Sequence, residues 1–84
     1  MHTRGQEFVT QVESLMEKTI GRLVGQSILK NQLKKINKQT EVLSADDCNL
    51  LVQHITGALS VFVTKQEVDV ANSQLQRLYR AHFA

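Results

Sequence analysis

The sequence predicts an all-α fold: a small antiparallel bundle of four helices, or three if the first two are continuous, ending in a tight helical hairpin. Three observations predict it. Apolar residues recur at three- and four-residue steps along most of the chain, the spacing of amphipathic helices. Ser44 and Thr64 each begin a helix-start signal. There is no proline and little glycine, which does not suit a many-turned β protein.

The hairpin spans Ser44 to Phe83. Ser44-Ala45-Asp46-Asp47 is an imperfect capping box, because Asp47 is shorter than the usual Glu or Gln. Its two aspartates also suit the positive end of a helix dipole. Cys48, Leu51, Val52, Ile55, Leu59 and Phe62 then form one apolar stripe, so a helix is expected over 45–62. Thr64-Lys65-Gln66-Glu67 is a full capping box, with Val63 and Val68 placed as a hydrophobic staple. Val68, Ala71, Leu75, Leu78 and His82 repeat at helical spacing, so the last helix is expected over 65–82. The link at Val63-Thr64 is very short, which makes the two helices neighbours.

The first half is helical throughout. Phe8, Val9, Val12, Leu15, Met16, Ile20, Leu23, Val24, Ile28, Leu29, Leu33 and Ile36 follow the same steps. Gly21 and Gly25 interrupt it, each costing about 1 kcal/mol inside a helix. With Thr19 as a cap, the region divides into helices near 6–18 and 20–37. A single helix over 6–37 would run on the order of 48 Å and demand a partner chain. Gly21-x-x-x-Gly25 reads as a close-packing motif, since Arg22 inside it argues against a membrane dimer. Asn37 is the expected terminator, and 37–43 is the one loop. Residues 1–5 have no pattern and read as a frayed end of a single helical domain, 1–84.

Eighty-four residues make one domain that buries roughly 60–65% of its unfolded surface, so a lone core is marginal. No apolar run reaches the length of a membrane span, and no apolar signal core begins the chain. Cys48 is the only cysteine, which excludes an internal disulfide and a cysteine zinc site. Its place on the stripe makes it a small buried hydrophobe. The compartment implied is the cytoplasm.

Catalysis finds no constellation, so no enzyme is expected. Cys48 and His54 are six apart and lie on different faces of one helix. His54 reads as half-exposed, and His82 as a residue that satisfies terminal carbonyls. Asp46 and Asp47 are adjacent and diverge, and no metal-binding spacing or phosphate loop is present. Neither cofactor nor metal is expected.

Charge is the remaining signal. From Arg22 to Lys38 there are five cations and no acid. Lys30, Lys34 and Lys38 fall on one ridge, with Lys35 beside it. Such a ridge attracts nucleic acid, with Arg77 and Arg80 as possible aids. It is also the ordinary way to place cations near a helix C-terminus. Residues 20–38 lack the aromatic anchors of a membrane-surface helix. Val9, Leu50, Val61, Val70 and Phe83 lie off the main stripes and suggest a second, partner-facing surface. Two readings follow. The first is a non-enzymatic helical interaction or regulatory module, with a homo-oligomer or a helical protein as partner and dimer contacts in the first half. The second is a nucleic-acid-binding regulator using the basic segment 22–38.

Overall fold

The structure is a computed structural model that describes residues 3–83. Helix α1 (Arg4–Ile20) starts on Thr3. The Thr3 hydroxyl accepts from the Gln6 N–H at 3.2 Å, and the Gln6 side chain accepts from the Thr3 N–H at 3.0 Å. This reciprocal box satisfies two donors of the first turn. It corrects the frayed end expected for 1–5: residues 3–5 belong to the helix and its cap. Residues 1 and 2 lie outside the described residues. Gly5 is buried, and a Cβ there would stand 2.6 Å from the Thr40 carbonyl oxygen.

The first half is two helices. α1 meets α2 (Arg22–Ile36) at a single residue, Gly21, with φ 91° and ψ 162°. That backbone region is open essentially to glycine alone. The Gly21 N–H still donates to Glu17 O at 3.0 Å, and its carbonyl accepts from Gly25 N–H at 2.9 Å. One residue therefore closes one helix and opens the next. Thr19 is not the cap expected of it; its hydroxyl donates back to Leu15 O at 2.8 Å, inside α1. The longest dimension of the molecule is 35 Å, which excludes the continuous helix.

Gly25 does the packing that its motif suggested, within the chain. A Cβ there would lie 3.0 Å from the backbone carbon and oxygen of Met16, so α2 crosses directly on α1. Asn37 ends α2 in the left-handed conformation, φ 59° and ψ 40°, and its N–H donates to Leu33 O. A 3-10 turn, Thr40–Val42, leads to the buried Leu43 and on to α3 (Ala45–Leu59). Asp47 proves long enough for its box. It accepts from the Ser44 N–H at 3.1 Å, and its own N–H donates to Ser44 Oγ at 3.2 Å.

α3 stops three residues before the expected 62. Val61 and Phe62 donate to Ala58 O and Leu59 O, three residues back, and Ser60 Oγ donates to Gly57 O. These tighter turns advance roughly 120° per residue instead of 100°, so Phe62 rotates off the stripe. Thr64 then caps α4 (Lys65–Phe83): Glu67 N–H donates to Thr64 Oγ1 at 3.2 Å, and that hydroxyl donates to Glu67 Oε1 at 2.9 Å. Val63 and Val68 both pack on the core, as the staple requires.

The four helices form an antiparallel ring in chain order. α1 packs on α2 and α4, α3 packs on α2 and α4, and the diagonal pair α2 and α4 do not touch. Phe8, Met16, Leu51, Ile55, Leu59 and Leu75 fill the centre and are fully buried. Phe8 also seals one end, with edge-on contacts to Tyr79 at 6.4 Å and Phe83 at 5.7 Å. No helix among the described residues is long and apolar enough to cross a membrane.

The two central glycines make separable predictions. Gly21→Ala meets no neighbour within 4 Å, yet it should cost about 1–3 kcal/mol from backbone conformation alone. Gly25→Leu adopts ordinary helical geometry but drives into Met16, and should cost about 1–3 kcal/mol by overpacking. Urea unfolding measures both. An unchanged midpoint in either variant contradicts the role given to that residue.

Candidate interaction surface

The basic ridge is present in part. Lys30, Lys34, Lys35 and Lys38 are all exposed. Lys30, Lys34 and Lys38 border one open depression of about 380 Å³, floored by Leu33, while Lys35 does not line it. Lys38 lies beyond the end of α2 and is held by α3: its Nζ donates to Asp47 Oδ2 at 2.8 Å. That bond, with the Ser44 N–H, keeps the Asp47 carboxyl below its ordinary value of 3.8. Arg77 and Arg80 stand on α4, diagonal to α2, so they do not extend the ridge.

The residues considered for nucleophilic chemistry are not brought together. Cys48 is fully buried, and burial, with the nearby Asp47 charge, pushes its thiol up to about 11. His54 is half-exposed on the same helix. His82 Nδ1 lies 2.9 Å from Leu78 O, one turn back, with its ring edge-on to Phe8 at 5.9 Å. Among the described residues, no three of His, Cys, Asp and Glu gather in a way that could hold a metal.

The clearest surface feature is apolar. Leu23 is 84% exposed, Val61 79% and Phe62 58%. Leu23, Val24 and Phe62 line one groove of about 410 Å³ between the start of α2 and the end of α3, over Ile28 and Ala58. Its polar lining is Ser27, Asn31 and Gln32, so no charged side chain borders it. Three of the four aromatic residues cluster at the far end of the bundle. Phe62 is the one left outside.

Leu23 and Phe62 stand at helical stripe spacing in the sequence, yet both are on the surface. Leu23 lies roughly 140° round the helix from Ile28 at 100° per residue. The Thr64 cap carries the missed signal for Phe62, because a helix starting there forces the preceding residues into a turn. Of the five off-stripe residues, Leu50, Val61 and Val70 are exposed. Val9 is buried and Phe83 packs against the core.

No protein-family model matches the chain, and no curated protein or solved structure matches it.

The Lys38–Asp47 pair predicts a pH signature. A carboxyl whose folded pKa is depressed adds stability above its unfolded value, and that stability is lost as pH falls through the folded value. Lys38→Ala should therefore be less stable than the parent at pH 6–7, and the two should converge as pH drops below about 4. Urea midpoints across pH 2–7 test this. A gap that persists at the acid end rules the pair out as its source.

Proposed function

We propose that this chain is a small non-enzymatic helical interaction or regulatory module that self-associates. The observation that carries the reading is the uncharged apolar groove of Leu23, Val24 and Phe62. Contiguous exposed apolar surface on a small domain marks a contact site. A two-fold contact sets each patch against its own copy. A groove without charged lining meets no like-charge repulsion in that arrangement. The amide of the exposed Asn31 both donates and accepts, so it can pair with its counterpart. Leu23 and Val24 also lie in the first half, where dimer contacts are expected.

Magnitudes support a weak dimer. Covering the exposed parts of three side chains on both copies is worth on the order of 5–10 kcal/mol. Association costs roughly 4–15 kcal/mol. At the favourable ends of the two ranges about 6 kcal/mol remains, which is a Kd on the order of 40 μM, so any pairing is weak and falls inside the concentration range tested below. The single buried thiol fits a reducing compartment such as the cytoplasm.

A nucleic-acid-binding regulator is the second reading, favoured by the placement of Lys30, Lys34 and Lys38 round one depression. Two facts weigh against it. Lys38 is engaged by Asp47, and the depression sits at the C-terminal, negative end of α2.

Sedimentation equilibrium from about 1 to 200 μM is the test of self-association. The parent chain should pass from monomer towards dimer, while Leu23→Glu stays monomeric with unchanged helical circular dichroism. A parent that remains monomeric throughout overturns the proposal. For the second reading, the parent should bind a duplex oligonucleotide at low salt, and Lys34→Glu should weaken that binding and flatten its salt dependence. Absence of binding at low salt removes it.

A further inference from the structure

We propose that the groove between α1 and α4 is a second docking site, one that receives an acidic amphipathic helix from another protein. Two depressions, of about 430 and 390 Å³, lie along this seam. They share Leu15, Lys18 and Gln74, so they form one continuous trough. It runs from Gln66 to Leu78 along α4, roughly 18 Å at 1.5 Å per residue, or about three helical turns.

The trough exists because of a size difference. Ala71 is buried and offers only a methyl group where α4 faces α1. Leu15 and Leu78, both partly buried, form the rest of the floor, and Val70 stands on the wall, 55% exposed; Gln11, Ser14, Thr19, Gln66 and Gln74 make the rest of the uncharged lining polar. An apolar trough of this length suits a helix with apolar residues at i, i+4 and i+7.

Charge selects the kind of helix. Lys18 borders both depressions from α1, and Arg77 borders the lower one from α4. Both are exposed. Glu67 is the one carboxylate of the lining, and it accepts the Thr64 hydroxyl in the cap of α4. That bond leaves the Glu67 charge in place, so the lining is net positive by one, with Lys18 and Arg77 on opposite sides of the floor and Glu67 at the upper depression alone. A helix with carboxylates flanking its apolar stripe complements the two cations, whereas a basic helix is repelled. This surface is separate from the Leu23 groove, so the site does not depend on self-association.

The probe is a fluorescein-labelled, hydrocarbon-stapled peptide of 14 residues, with Leu at i, i+4, i+7 and i+11 and Glu at the flanking positions. A second peptide carries Lys in place of each Glu. Fluorescence anisotropy with the full chain should show the acidic peptide bound at least tenfold more tightly than the basic one. The double variant Lys18→Glu/Arg77→Glu should lose or invert that preference. Lys30→Glu/Lys34→Glu, on the other basic face, should keep it, as should Leu23→Glu. Equal affinity of the parent for both peptides, or binding of neither, overturns the proposal. So does a preference that survives Lys18→Glu/Arg77→Glu or disappears in Lys30→Glu/Lys34→Glu.

Discussion

The backbone of Gly21 is the constraint on which the bundle depends. At φ 91° and ψ 162°, it reverses the chain in one residue while both flanking helices keep their terminal hydrogen bonds through it. That reversal lays α2 along α1, and Gly25 lets the two meet at backbone distance over Met16. With α1 and α2 so placed, α3 and α4 complete a closed ring around Met16, Ile55, Leu59 and Leu75. A straight helix through this point would leave its apolar stripe without a partner inside the chain.

Three of the four helix starts are set by one local device, and α2 starts on Gly21 without a side-chain cap. Thr3, Ser44 and Thr64 each place a hydroxyl on the N–H three residues on, and Gln6, Asp47 and Glu67 answer from that position. Helix ends are set by three different devices: the extended glycine at 21, the left-handed Asn37, and the tightened turn after Leu59. The last of these has a consequence for the surface. It turns Phe62 outward, beside a first turn of α2 that already exposes Leu23.

The two ends of the bundle are therefore unlike. One is sealed by Phe8, Tyr79, His82 and Phe83 packed edge to face. The other presents an uncharged apolar groove. The long seam between α1 and α4 differs again, with cations over an apolar floor. An adaptor that pairs with its own copy through one surface and holds an acidic helix in the other is consistent with both. In this reading the buried Cys48 serves as packing, since a thiol raised to about 11 and shut from solvent is a poor nucleophile.

The sequence by itself determined the helical class, the number of helices once Gly21 is read as a break, and the buried faces of α3 and α4. These follow from spacing and caps, which act within a few residues. Leu51, Val52, Ile55, Val68, Ala71 and Leu75 are core residues for that reason alone. The Lys30–Lys34 part of the ridge was legible too, because i and i+4 are neighbours on any helix, whereas Lys38 lies past the left-handed Asn37 that ends α2. Tertiary structure decided the rest. That Lys38 turns to Asp47, that Arg77 faces Lys18 across a trough, and that Leu23 and Phe62 share a groove all depend on which helix lies beside which. A stripe on one helix states that a face is apolar. Only the neighbouring helix, and the residue at which each helix stops, determines whether that face is covered.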